Sequence, residues 1–302
     1  MKTAIVTDSN SGITQALSRE LGIYTIPMPV LINGEQFLED ISLTQEQFYE
    51  KLKDDSCQVS TSQPSAYDVG ELWKKLLEEY DDIVCIPMSS GLSETCHSLQ
   101  HLAETEFAGK VFVVDNRRIS ITQKSAVYDA IELAKQGKNA EEIAKWLTET
   151  SMQSSIYIMV NTLKYLKKGG RLTPAVAMIG TLLKIKPVLQ IQGAKLDQFA
   201  KPRNFNKAKE IMIDAVKADL AERFAGLNAE GKMKLSIAYT DTDGEAQIFK
   251  KEVEEAFGMP VEFVDPLSLS VSCHIGPGAL AIACTVSVSY THLRAHETDQ
   301  YL

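Results

Sequence analysis

Apolar residues in the first half of the chain fall into short, β-branched-rich runs separated by stretches with helical spacing. Thr3–Val6, Ile83–Pro87 and Val111–Val114 are compact runs of the kind that form buried strands. Around them the apolar positions recur at helical period over Ile13–Leu21, Thr44–Lys53, Tyr67–Tyr80, Leu92–Glu104, Gln123–Gln136 and Ala140–Glu149. This alternation predicts right-handed βαβ units and a mostly parallel sheet covered on both faces. Gly137-Lys138-Asn139 closes one helix and caps the next.

A second unit is expected from near Ser151. Ser155–Val160, Lys186–Gln192, Lys234–Tyr239 and Val261–Val264 read as strands, with helices over Asn206–Phe224 and Gly244–Phe257. No internal repeat and no low-complexity linker marks the boundary, so two packed domains are expected, over 1–150 and 151–285, with a cleft between them that suits a ligand. The stretch from 286 to 302 has little usable periodicity and reads as a foreign, non-native tail. Within it, His292 and His296 have the i, i+4 spacing of a helical metal clamp, but no other ligand accompanies them, so no metal and no cofactor are expected.

Composition changes this picture little. The 302 residues are 44% hydrophobic and 24% charged, as in an ordinary globular protein. The net charge of −9 argues against nucleic acid, whose phosphates need a basic surface. No apolar run reaches the roughly 18 residues of a membrane span, and Met1 leads directly into strand-like sequence without a signal peptide. The five cysteines are scattered, and Cys85 and Cys284 sit in strand-like runs, so buried thiols in a reducing cytoplasm are expected.

Five stretches carry the candidate chemistry. Asp8-Ser9-Asn10-Ser11-Gly12 follows the first strand, where α/β proteins bind ligands, yet it could equally be a plain N-cap turn. In Thr61-Ser62-Gln63-Pro64-Ser65, Ser65 is best placed to cap the next helix, which leaves Thr61 and Ser62 as donors to an anion. Met88-Ser89-Ser90-Gly91-Leu92-Ser93 is a hydroxyl-rich loop feeding a helix N-terminus. It suits a carboxylate or single phosphate and lacks the lysine of a P-loop.

The fourth stretch, Lys167-Lys168-Gly169-Gly170-Arg171-Leu172-Thr173-Pro174, starts a helix over Ala175–Ile185 with Thr173 as cap. That helix is apolar nearly all round, with Met178, Ile179, Leu182 and Leu183 among its residues, so it is either a core helix or the wall of a lipid tunnel. In the fifth, His274-Ile275-Gly276-Pro277-Gly278-Ala279, the glycines allow close backbone approach. His274 is either a donor to a carboxylate or merely a loop histidine.

Together and in this order, these stretches resemble the DegV family from Met1 to about Thr285. The resemblance implies a DegV-like α/β fold: a Rossmann-like, mostly parallel sheet domain and a smaller α/β domain with a mixed sheet. It implies a long-chain fatty acid as ligand and a role as the binding subunit of a bacterial fatty acid kinase, presenting the acyl carboxylate to an ATP-binding partner. By motif matching, Thr61, Ser93 and His274 become the carboxylate ligands, with Ser62 beside them. Arg171 and Arg203 become the residues of phosphotransfer or partner contact. Asp115–Ser120 departs from the family in being more basic.

Three rivals stand beside this reading. A serine hydrolase would pair Ser93 with His274, but no acid in the His274 loop completes a triad. A kinase in its own right would need a Walker lysine or a metal-binding acid cluster, and neither is present. A lipid-sensing regulator without a kinase partner is the third.

Overall fold

The computed structural model describes residues 2–54, 56–171, 185–193 and 196–288. Its first half runs β1 (Thr3–Asp8), α1 (Gln15–Leu21), β2 (Tyr24–Ile26), β3 (Pro29–Ile32), β4 (Glu35–Leu38), α2 (Gln45–Leu52), β5 (Val59–Thr61) and α3 (Ala66–Leu76). It continues with β6 (Asp82–Ile86), α4 (Thr95–Glu106), β7 (Val111–Val113), α5 (Ser120–Lys135) and α6 (Ala140–Glu149). The second half runs β8 (Ser154–Met159), α7 (Lys164–Lys168), β9 (Val188–Ile191), β10 (Leu196–Ala200), α8 (Phe205–Ala221) and α9 (Ala225–Ala229). It ends with β11 (Met233–Tyr239), α10 (Gly244–Phe257), β12 (Val261–Pro266), α11 (Leu269–Ile275) and β13 (Leu280–Val286).

The expected α/β class holds. β2, β1, β6 and β7 lie side by side in that order, all parallel. Strand alternation sends Ala4, Val6, Ile83 and Cys85 to one face, against α3 and α4, where Trp73 is fully buried. Ile5, Val84 and Ile86 go to the other, against α5 and α6. A parallel sheet covered on both faces leaves only its strand ends open, which is why ligand loops gather there.

The second sheet has six strands in the order β10-β9-β8-β13-β11-β12, parallel only between β11 and β12. One face is filled by large side chains, including Tyr157, Met159, Leu235, Ile237, Leu280 and Ile282, packed on α8 and α10. On the other face Ile156 and Ile158 stand beside Ala238, Ala281 and Ala283. Those alanines leave room, and the cavity described below lies over Ala238 and Ala281.

α5 joins the two sheets. Its body packs on the parallel sheet, while Ile119 and Ile121 at its start join the apolar cluster of the six-stranded one. Lys124, half-way along the first turns of α5, reaches Asp265 at the end of β12 at 2.7 Å, a nearly buried ion pair.

Several expectations need correction. A third, antiparallel sheet of β4, β3 and β5 was not foreseen. Nor were β2 and β10, and β13 was marked only by the strand-like run around Cys284. The helix expected from Leu92 begins at Thr95, because Ser89 to Ser93 continue as a turn in which the Leu92 and Ser93 N–H groups bond to the Ser89 carbonyl. His274 is no loop residue: it occupies the last turn of α11, capped by Ser268. The tail reading began too early. Val286 is buried in β13, the Ser287 and Val288 N–H groups are bonded, and Ser287 and Val288 both bond to the Asp129 carboxylate. Residues 289–302, including His292 and His296, lie outside the described residues, as do Met178, Ile179, Leu182 and Leu183.

Caps fall where the side chains indicate. Ser65 accepts the Asp68 N–H at the start of α3, and Asn139 forms a reciprocal capping box with Glu142 at the start of α6. Cys57, Cys85, Cys96, Cys273 and Cys284 are all free and buried.

Candidate functional site

A cavity of about 930 Å³ opens where the carboxyl ends of the parallel strands meet the alanine-bearing face of the six-stranded sheet. Its size falls in the range of small-molecule sites. Ile156, Ile158, Ile191, Leu196, Ala238 and Ala281 supply the sheet side, and Leu166, Leu267, Val271 and Ile275 close it from α7 and around α11. Exposed Gln63, Gly91, Glu94, Gly170 and Arg171 rim it.

Four of the carboxylate-binding candidates converge on this cavity. Thr61, at the end of β5, and His274, on α11, touch directly: Oγ1 and Nε2 are 3.1 Å apart. Ser62 and Ser93 also line it. The Ser93 hydroxyl donates to Thr95 Oγ1 at 3.0 Å and accepts the Thr95 N–H at 3.3 Å, so it caps the turn into α4 while facing the cavity. Arg171 lines the rim, its Nη1 donating to the Gly169 carbonyl at 2.8 Å. Arg203 is exposed and is not among the lining residues.

The two glycine-containing motifs explain each other. A Cβ on Gly169 would fall 2.0 Å from Nδ1 of His274, so only glycine lets α7 end against the imidazole. Gly276, at φ +77°, lets the chain turn out of α11, and a Cβ there would fall 2.2 Å from the Tyr165 ring. The lysine- and glycine-rich segment and the histidine segment thus form one packed unit around the imidazole. Burial pushes the His274 pKa down to about 4, with the Arg171 guanidinium adding to the effect, so the ring is neutral at pH 7. Its Nδ1 is buried without a hydrogen-bond partner among the described residues.

Behind this unit lies a buried polar network. Asp8 accepts from the N–H groups of Asn10 and Met88 and from the Gln123 amide. Ser9 donates to Glu39 at 2.6 Å and accepts the Met28 N–H. Glu39 also accepts the N–H of Leu269, the first residue of α11, tying that helix to the turn after β1. Burial raises the Glu39 pKa to about 7, partly offset by those bonds and reinforced by the nearby Asp8 and Asp40 charges. Asp8 and Ser9 therefore hold structure, as a capping turn would, while Asn10 lines the cavity. Glu39 and Ser270 were missed. Glu39 lies in a turn with no distinguishing pattern, and only its contact with a helix 230 residues later reveals it.

Among the described residues there is no group of three or more His, Cys, Asp or Glu placed to hold a metal ion, and no helix long and apolar enough to cross a membrane.

Similarity to known proteins covers nearly the whole chain. The family model described as an uncharacterised protein, DegV family, matches residues 2–286. Protein DegV of Bacillus subtilis is 31% identical over 284 residues, covering 93% of this chain and 98% of its own. A DegV domain-containing protein of Deinococcus radiodurans is 30% identical over 290 residues, covering 94% and 98%. Among solved structures, a DegV family protein from Thermus thermophilus, described for its fatty acid binding, superposes with a TM-score of 0.84 at 30% identity over 95% of this chain and 100% of its own. The structure of DegV from Bacillus subtilis, described as a fatty acid binding protein, gives 0.83 at 29% identity over 95% and 100%.

Proposed function

This chain belongs to the DegV family, and on that premise we propose that it binds a long-chain fatty acid and presents the carboxylate to a separate ATP-binding kinase subunit, which forms the acyl phosphate. The chain itself is then a substrate-presenting subunit, not an enzyme. The observation that carries the reading is one cavity with an apolar body and a polar end at Thr61 and His274.

Burial of about 14 methylenes at about 0.8 kcal/mol each gives a gross transfer free energy on the order of 11 kcal/mol. Affinity comes mainly from that term. Thr61, Ser62, Ser93 and His274 then fix the carboxylate's orientation, with a neutral imidazole serving as hydrogen-bond partner without placing a second charge in the cavity. Arg171 lines the rim and Arg203 is exposed; in this proposal the first meets the incoming phosphoryl group and the second the partner. Met178, Ile179, Leu182 and Leu183 are proposed as further tunnel wall.

A serine hydrolase is disfavoured. The Ser93 hydroxyl donates to Thr95, and His274 bonds to Thr61 with no acid on its Nδ1 among the described residues.

Organic extraction and mass spectrometry of protein purified without added lipid should find about one acyl chain per protein. His274→Ala should then lower acyl-phosphate formation far more than lipid binding, since one hydrogen bond to a charged group is worth about 1.5–3 kcal/mol against the larger burial term. A protein that is empty and refuses palmitate ends the lipid reading. Normal phosphorylation without His274 ends only its presenting role.

A further inference from the structure

The first turn of α5 opens on the cavity without a cap. Its flanking residue is Ile119, which has no side-chain acceptor, and the N–H groups of Ser120, Ile121 and Thr122 meet no acceptor among the described residues. All three residues are buried, and Ile119, Ser120 and Ile121 line the cavity. Helix N-termini leave their first N–H groups for a cap, water or a ligand, and they carry the positive end of the dipole. We propose that this turn is a seat for the carboxylate of the bound acid, with Ser120 as its anchoring residue. Ser120 Oγ donates to a carboxylate oxygen, and the free N–H groups of the turn face the same charge. This rests on the fatty-acid reading above.

The serine hydroxyl points to a ligand independently of the helix end. Ser120 is only 6% exposed, and its Oγ has no hydrogen-bond partner among the described residues. That oxygen is not one of the polar atoms sealed from solvent, so the little surface it keeps belongs to the cavity it lines. The other hydroxyls there differ. Thr61 is bonded to His274, Ser90 to Asp115, Ser93 to Thr95 and Ser270 to Asn10, while Ser62 is exposed. Ser120 is thus the buried cavity hydroxyl, among the described residues, whose proton is uncommitted.

The loop before the helix explains why this end is open. Asp115 and Asn116 are the acceptors that could have capped it. Asp115 Oδ1 accepts the N–H groups of Ser90 and Arg117, and Oδ2 accepts the Ser90 hydroxyl. Asn116 Oδ1 accepts the Arg118 N–H. Both caps are spent before the helix begins.

The turn also stands on the side of the cavity where the head group is expected. α5 follows β7 at the carboxyl edge of the parallel sheet, as the Ser89–Ser93 loop follows β6. The Ser89 N–H donates to the Arg118 carbonyl at 2.9 Å, which ties the two loops together and brings Ser93 and Ser120 to one side. With a neutral imidazole and Arg171 at the exposed rim, an acyl carboxylate inside the cavity is met by neutral donors and the helix dipole.

The test compares palmitate with 1-hexadecanol, which has the same chain and no carboxylate, in titrations of the full chain. The wild type should favour the acid. Ser120→Gly removes the hydroxyl, and since Ser120 sits at φ +55°, which glycine adopts freely, the fold should hold. The acid-to-alcohol affinity ratio should fall about tenfold, because a hydrogen bond to a charged group is about twice as strong as one to a neutral hydroxyl. Ser120→Ala should lower the ratio in the same way. A residue that only shapes the cavity would move both ligands together, and an unchanged ratio in both variants would overturn the inference while leaving fatty-acid binding intact. Wild-type protein that takes neither ligand would overturn both. Should the variants fail to fold, a crystal structure of the wild type with palmitate decides: Ser120 Oγ within about 3.2 Å of a carboxylate oxygen supports the assignment, and a separation beyond hydrogen-bond reach overturns it.

Discussion

Glu39 and His274 sit at opposite ends of α11, one bonded to its first N–H and one in its last turn, and they titrate in opposite senses. The His274 pKa is about 4 in the folded protein against an ordinary 6.5, so the unfolded chain holds the extra proton between those values and stability is lost as pH falls. Glu39 is raised from 4.5 to about 7, so the folded protein holds the extra proton there and stability is lost as pH rises. Between pH 4.5 and 6.5 the two nearly cancel. Glu39→Gln removes one side of the balance. Its stability relative to wild type should climb as pH rises from 4.5 to 7, by up to about 1.4 kcal/mol per unit, as read from urea midpoints at stepped pH. A difference that does not change with pH would mean that Glu39 is ionised throughout. At this scale the sequence was readable where a residue type announces its chemistry. Thr61, Ser62, Ser93, Arg171 and His274 were marked by hydroxyl- and glycine-rich context, and the structure brings all five to one cavity. Glu39 and Ser270 were not, since their meaning comes from partners hundreds of residues away.

Among the elements, β13 bears most directly on ligand size. Period-2 alternation puts Leu280 and Ile282 on the packed face and Ala281 on the cavity face. Ala281→Leu should fill cavity space without disturbing the packed face, displacing about two methylenes of a bound chain and weakening palmitate about tenfold. Decanoate should be nearly unaffected, and the melting temperature should hold or rise. Equal losses for both chain lengths would place Ala281 away from the lipid's end. β13 was legible only as the strand-like run around Cys284, since Leu280–Val286 mixes alanines among its apolar residues and follows a glycine-rich turn. The long strands of the parallel sheet were legible because burial on both faces makes them continuous apolar runs. β3, β4 and β5 were not, being three or four residues long and broken by prolines and polar positions.

For the whole molecule, the described packing ends at Val288, whose N–H bonds to Asp129 on α5 and whose side chain joins the cluster beneath that helix. Truncation after Val288 should leave the melting temperature and palmitate binding unchanged. Truncation after Thr285 removes Val286 from its strand along with the bonds of Ser287 and Val288, and should cost about 2–4 kcal/mol in denaturant unfolding. Indistinguishable stability of the two forms would show that these last bonds contribute nothing. The order of motifs and the α/β class were legible at this scale, because each is a property of long runs of sequence. The way α5 serves both sheets was not, since Lys124 meets Asp265 across 141 residues.

The position of β13 also bears on how the chain is made. It is the last strand in sequence among the described residues, yet it lies in the interior of the six-stranded sheet, antiparallel to both β8 and β11. During synthesis, β1, β2, β6 and β7 are all present by residue 113 and can pair while translation continues. The second sheet cannot close in this way. Until residue 286 leaves the ribosome, β8 and β11 each present a bare row of backbone donors and acceptors, and the alanine-lined face has no sheet to belong to. The cavity is therefore among the last of the described features to form, and a chain stalled short of β13 has a finished parallel-sheet half beside a pair of sheet edges open to aggregation.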